Sequence, residues 1–280
     1  MAQHARHLEA TGSQAQWVCT CQWRGSVSGE GTEVDIDQEW IDHLAFIYQT
    51  LEHEYARLAD MLFDLGAVRF AGVAGEPEEG FTLKLHEENP LAPKSPIFLN
   101  LRTPDNPKPG PLTPEALELT GKLLYVRLHE IEGLDFTYIA GIPNAGEPIA
   151  DAIMANLASW SRVAKLHLIK QESDGKRKIA GIRETDYVQG ASVVLYDDLI
   201  TQADTKLEAI DVLKDAGLAA AAVMLVVDRQ QGGKEQVEQT GCPVYSLFTL
   251  PEMMVYYLIK GHLDAEKVNW AMIYLDSNTV

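Results

Sequence analysis

Apolar and polar positions change rhythm several times along this chain, and each rhythm predicts an element. From Asp37 onward, Trp40, Leu44, Ile47, Leu51, Leu58, Leu62 and Leu65 recur at steps of three, four or seven, which puts them on one helical face. Asp35 or Asp37 can cap that helix and Gly66 can end it. Three short strand-like stretches follow, Val68–Val73, Phe81–Leu85 and Ile97–Leu101, joined by Pro- and Gly-bearing connections. Thr113 and Pro114 then open a helix that runs to about Glu132, with a cap residue and a first-turn proline.

Beyond Glu132 the pattern alternates. Strands are predicted at Phe136–Ala140, Val163–Ile169, Ser192–Tyr196, Ala221–Val227 and Val244–Leu247, and helices at Glu147–Ser159, Thr205–Ala216 and Lys234–Thr240. Strands that are apolar throughout, separated by amphipathic helices, define an α/β fold with a parallel sheet covered on both faces. Ligands bind such sheets at the carboxyl ends of the strands, so the chemistry is sought just after Ala140, Ile169, Tyr196 and Val227. Residues 1–34 are polar and fall outside the pattern, an extension to a domain over 35–280.

Composition narrows the function. Of 280 residues 46% are hydrophobic, enough for a sizeable core, and 23 basic against 41 acidic residues leave a net charge of −18. A surface that acidic repels phosphodiester backbones, so no nucleic-acid partner is expected. No run approaches the ~20 apolar residues of a membrane span. The opening MAQHARHLEATGSQ has no apolar signal-peptide core, and three cysteines make no disulfide framework, so a cytoplasmic protein is expected.

The most informative stretch is Ser192-Val-Val-Leu-Tyr-Asp-Asp-Leu-Ile-Thr-Gln-Ala-Asp-Thr-Lys206. An apolar strand delivers Asp197 and Asp198 to the sheet's carboxyl edge, where they can accept hydrogen bonds from vicinal ribose hydroxyls. The helix behind them can hold a phosphate on its free N–H groups. This arrangement resembles the 5-phosphoribosyl 1-pyrophosphate (PRPP) motif of type I phosphoribosyltransferases. Four further segments are similar to the orotate phosphoribosyltransferases of that class: Met61–Phe70, Phe81–Lys84 with Ser95–Arg102, Gly141–Pro148 and Asp228–Gly233. They run in the family's order over roughly residues 58 to 240.

The resemblance implies a Rossmann-like type I phosphoribosyltransferase fold with an N-terminal helix and a small β hood. It also implies transfer of phosphoribosyl from PRPP to orotate, with Mg²⁺, giving orotidine 5′-monophosphate and diphosphate. By position, Asp197, Asp198, Thr201, Thr205 and Ala145 would contact PRPP. Lys84, Phe98 and Arg229 would hold orotate, the planar Arg229 guanidinium matching a carboxylate. Lys170 and Lys176 would stabilise the leaving diphosphate, in a homodimer whose mobile loop serves the neighbouring subunit. Taken singly, without the neighbouring motifs, Lys84 reads as a solvated strand lysine, Phe98 as a core aromatic and Arg229 as a partner for Asp228.

Departures fall on the residues that handle negative charge. Gln202-Ala203-Asp204 stand where the family's phosphate loop carries small residues, Ala145 stands where it often has a lysine, and Ile169–Ile179 contains no histidine. Lys176, Arg177 and Lys178 either restore the missing charge or form a solvated basic turn. A phosphate ~4 Å from the Asp204 carboxylate would meet about 4 kcal/mol of repulsion at an effective dielectric of 20. Asp204 is expected instead to cap the helix that begins at Thr205. These departures keep two alternatives open: a catalytically silent homologue used for sensing, regulation or assembly, and a phosphoribosyltransferase for another base.

Near the N-terminus Cys19, Cys21 and His43, with His4 or His7 as a fourth ligand, could form a closed structural Zn²⁺ site, a small module reaching to His43. Cys242 is expected to be buried, and Met253, Met254, Tyr256 and Tyr257 to lie in the core or a subunit interface.

Overall fold

The structure is a computed structural model that describes residues 6–11, 14–19, 53–83, 86, 89–157, 162–173 and 176–279. Lys84, Cys21 and His43 lie outside the described residues, as do the Cys19 side chain and the expected helix before His53, so the zinc expectation falls there.

Strands β1 (Arg6–Thr11) and β2 (Gln14–Cys19) pair antiparallel as a hairpin. Helix α1 (His53–Asp64) buries Tyr55, Leu58, Ala59 and Leu62, the second half of the predicted stripe, and ends at Gly66 with a φ of +67°. Strands β3 (Val68–Phe70) and β4 (Ile97–Leu99) pair antiparallel as the small hood. Among the described residues of the strand predicted from Phe81, one bridge forms, Phe81 to Ser95. Helix α2 (Pro114–His129) begins as expected, the Thr113 side chain accepting the Ala116 N–H.

The main sheet is built from β5 (Tyr138–Gly141), β6 (Ala164–Ser173), β7 (Lys176–Ile182), β8 (Ser192–Ile200), β9 (Ala219–Asp228) and β10 (Val244–Thr249). Their order is β10-β9-β8-β5-β6-β7, parallel throughout except for β7, which returns antiparallel along β6 at the edge. The segment 169–179, expected as a mobile loop, is largely strand. Lys176, Arg177 and Lys178 lie on the returning strand of a hairpin, where the buried Ile179 pairs with Lys170 and its N–H donates to Glu208 at 3.1 Å.

Helices α3 (Gly146–Asn156), α4 (Asp204–Asp215) and α5 (Gly233–Glu238) are the crossovers; α6 (Leu250–Ile259) and α7 (Ala265–Ser277) close the chain. The period-2 alternation of the sheet splits the core in two. Val194, Tyr196, Met224 and Val226 face α1, α2, α3, α6 and α7, while Val193, Leu195, Val223 and Leu225 face α4 and α5. Met253, Met254, Tyr256 and Tyr257 on α6 are buried, and the Tyr257 hydroxyl donates to the Ala59 carbonyl at 2.8 Å, so they are core that clamps α1. Cys242 is buried as expected.

Candidate active site

Strand β5 marks the switch point of the sheet: β6 lies on one side of it and β8 on the other. Gly146 draws the start of α3 against β8, since a Cβ there would lie 2.1 Å from the Tyr196 carbonyl oxygen. The loop Gly141–Gly146 therefore ends one residue's breadth from Asp197. Its Pro143–Asn144 peptide is cis, and Ala145 occupies the N-cap position of α3 with no side-chain cap bond.

Asp197 and Asp198 sit inside β8, which runs to Ile200 instead of ending at Tyr196. The reason lies in the neighbouring strand: β9 is long enough to pair with Asp197 at Leu225, Leu199 at Val227 and Ile200 at Asp228. Both acids are buried. Asp197 Oδ1 accepts the Asp198 N–H at 2.9 Å, and Asp198 Oδ1 accepts the Leu199 N–H at 2.8 Å. Burial first, then the Asp197 charge, pushes the Asp198 carboxyl up to about 7, against the opposing pull of Lys206, Arg102 and the Leu199 N–H.

Lys206 and Arg102 were present in the motifs but carried no role on sequence grounds. Lys206 is in the first turn of α4, where the helix dipole disfavours a cation. Its side chain folds back to the acids, Nζ lying 2.6 Å from Asp197 Oδ2. A lysine opposing a helix dipole one turn after an acid pair is the signal that could have found it. Arg102 arrives three residues after β4, its carbonyl holding the Leu112 N–H at 3.0 Å.

Lys170 is brought to this corner. Its Nζ donates to the Pro143 carbonyl at 3.2 Å, and burial lowers its pKa while Asp197 and Glu208 oppose that shift. Lys176 is at the other end of the hairpin, opposite Ser173, roughly 10 Å along the strand from the level of Lys170. Arg177 and Lys178 are exposed.

Thr201 and Thr205 flank the loop between β8 and α4 as expected, both half-buried. Asp204 does not cap the helix. Ala203 holds the N-cap position with no side-chain bond, and Asp204 is the exposed first residue of α4. The backbone turns helical one residue earlier than Thr205, so the Asp204 carboxylate faces water beside the positive end of the dipole. The Ala203 N–H is already used, donating to Gln236 Oε1 on α5 at 3.2 Å.

Arg229 follows β9, and its N–H donates to the Ile200 carbonyl at 3.2 Å. The guanidinium is buried, its Nε has no hydrogen-bond partner among the described residues, and burial lowers its pKa with the Tyr274 phenol opposing. It does not pair with Asp228, whose carboxylate accepts the Gln230 N–H at 2.8 Å and is pushed up by burial to about 6. Phe98 is on β4 of the hood. The Arg69 guanidinium sits 4.5 Å over its ring and the Phe81 ring centroid is 5.6 Å away.

A cavity of about 550 Å³ lies between the 103–107 loop, α2 and α3, reaching Asn144 and Glu147 but neither the acid pair nor Arg229. Asp105, Glu118, Glu147 and Asp151 line it, a wall that repels a polyanionic sugar phosphate. No group of three His, Cys, Asp or Glu suited to a metal occurs among the described residues, and none of their helices is long and apolar enough to cross a membrane.

A parallel sheet with an acid pair at its switch point, followed by a Thr-flanked loop into a helix, is the type I phosphoribosyltransferase fold. The structure is similar to the UMP synthase of Leishmania donovani, with a TM-score of 0.60 and 26% identity over 79% of this chain and 42% of that one. It is also similar to the orotate phosphoribosyltransferase of Francisella tularensis, with a TM-score of 0.55 and 19% identity over 79% of this chain and 95% of that one. In sequence it is 32% identical over 144 residues to the orotate phosphoribosyltransferase of Aquifex aeolicus, covering 50% of this chain and 75% of the relative. It is 31% identical over 140 residues to that of Pyrococcus furiosus, covering 50% of this chain and 73% of the relative. No family model matches. The chain belongs to the orotate phosphoribosyltransferase family.

Proposed function

We propose that this chain transfers the phosphoribosyl group of PRPP to orotate, releasing diphosphate. The observation that carries the reading is Arg229: a buried guanidinium with no carboxylate partner among the described residues, one hydrogen bond away from the strand that bears the acid pair. An unpaired buried cation is costly, and an anionic ligand would satisfy it. Orotate supplies a planar carboxylate for that fork.

In the reaction the C1–O bond to diphosphate breaks as a ring nitrogen of orotate bonds to C1 and gives up its proton. The chain's contribution is mostly positioning and charge stabilisation. The Asp197–Asp198 edge lies toward the ribose, with Asp198 accepting from its hydroxyls, and Thr201 and Thr205 with the first N–H groups of α4 receive the 5′-phosphate. Lys170 beside the Gly141–Gly146 loop, where Ala145 contributes backbone, stabilises the departing diphosphate, assisted by Lys176. Lys84 and Phe98 complete the orotate side. Magnesium would reach the site mainly on PRPP oxygens with its waters retained, and would neutralise the diphosphate. Asp198 fits that donor set, since the hydrogen bond it accepts from the Leu199 N–H falls on Oδ1. The family resemblance further supports a homodimer working in the cytoplasm.

The test follows orotate absorbance with PRPP and Mg²⁺, together with PRPP binding by calorimetry. Turnover is expected, and no turnover with no PRPP heat would remove the reading. PRPP binding without turnover would instead favour a ligand-sensing homologue, which the Ala203 N–H already held by Gln236 favours.

A further inference from the structure

The two acids are not equivalent. Together they present four carboxylate oxygens, and three are committed within the chain. The Asp198 and Leu199 N–H groups take one oxygen each. The third, Asp197 Oδ2, is held by Lys206 Nζ at 2.6 Å, in a pair whose side chains are only 6% and 8% exposed. Lys206 Nζ also donates to the Leu199 carbonyl at 2.7 Å, so the ammonium is tied at two points across the strand end. Asp198 Oδ2 takes no hydrogen bond among the described residues.

Two adjacent carboxylates at a strand end are otherwise well placed to bind a divalent cation directly. Here a fixed ammonium stands against the first of them. It is compact, so one Nζ can serve both the carboxylate and the carbonyl. A buried charge pair of this kind holds together because separating it would strand either ion without water.

We propose that Lys206 is a positioning residue that acts as the resident counter-cation of the acid pair, withdrawing Asp197 from ligand contact and leaving Asp198 Oδ2 as the acceptor for a sugar hydroxyl. The sugar part of this inference rests on the phosphoribosyl reading above. The counter-cation part stands on the geometry alone. In the ligand-free protein the pair then takes up no bare divalent ion.

Two measurements test it. The first is Mn²⁺ binding to the ligand-free full chain by electron paramagnetic resonance, with Asp198→Asn as the reference for ions scattered over the acidic surface. Wild-type protein is expected to bind no more Mn²⁺ than that reference. Lys206→Met, which keeps the aliphatic stem, is expected to gain one Mn²⁺ per chain, and Lys206→Met with Asp198→Asn to lose it. A wild-type site that Asp198→Asn abolishes, or no gain in Lys206→Met, overturns the counter-cation role.

The second measurement is PRPP affinity by calorimetry in Mg²⁺. Asp197→Asn combined with Lys206→Met removes both partners of the buried pair, so neither charge is left stranded as it would be in either single variant. Asp198→Asn is expected to weaken PRPP binding at least tenfold more than this neutral pair does. Equal losses overturn the division between the acids. Wild-type protein that binds no PRPP defeats the phosphoribosyl reading, while the Mn²⁺ result still decides the role of Lys206.

Discussion

Gln236, from a helix one crossover away, accepts the Ala203 N–H on its side-chain oxygen at 3.2 Å. The contact spans 33 positions and pins the loop between β8 and α4 with a group that competes with phosphate for the same donor. A net hydrogen bond contributes about 1 kcal/mol, or roughly fivefold in affinity. Replacing Gln236 with Leu is therefore expected to tighten binding of inorganic phosphate and PRPP about threefold or more, read by calorimetry. Weaker binding would mean that the contact organises the loop for its ligand.

Asp204 sits at the first position of α4 with its carboxylate in water. An exposed charge acts through a screened field that fades beyond about 8–10 Å near physiological salt. Asp204→Asn is expected to tighten PRPP binding about two- to fivefold at low salt, and the gain should vanish near 0.5 M salt. A salt-independent gain of a hundredfold would place the carboxylate against the phosphate.

Arg229 pulls stability and binding in opposite directions. Its buried Nε is unpartnered, so Arg229→Met removes a desolvated charge while filling a similar volume. The melting temperature is expected to rise by about 2–4 °C per ~1 kcal/mol recovered. The orotate KM should rise about a hundredfold, with the PRPP KM little changed. A fall in melting temperature with unaltered orotate KM would make Arg229 a structural residue.

Asp198 supplies a pH dependence of definite sign. Burial and the Asp197 charge push its folded carboxyl up to about 7, above the ordinary carboxylate range, against the pull of Lys206 and Arg102. The folded state therefore holds a proton that the unfolded chain has released between about pH 4 and 7. Stability from this group is present below that window and is lost as pH rises through it. Relative to Asp198→Asn, wild-type protein should have its greatest advantage near pH 4 and lose it by pH 8, read as the difference in melting temperature. The acceptor role needs the ionised carboxylate, so PRPP affinity should rise with pH up to about 7 and then level off. A flat profile in both measurements would remove Asp198 from the role.

Much of the architecture was legible along the chain because it follows from local rules. Apolar runs between amphipathic helices fix an α/β sheet, Thr113 with Pro114 marks the start of α2, and Gly66 marks the end of α1. The acid pair, Thr201, Thr205 and Lys170 fall at one corner because parallel strands deliver their carboxyl ends to one edge. Strand ends were less legible: β8 runs through its acids because β9 continues beside it, a fact about a neighbour and not about β8. The basic segment after Ile169 hid a strand for a similar reason, since its pairing partner is the strand it has just left.

Residue order alone determined the fold class, the family motifs and the acids that define the site. Which charges those acids meet was decided by the tertiary structure. Lys206 folds back from α4 onto Asp197, Arg102 comes in from the end of the hood, and Arg229 is buried beside Tyr274 with no carboxylate partner among the described residues. Patterning specifies which face of an element is buried, but pairing a buried charge depends on distances between elements that only the packed chain sets.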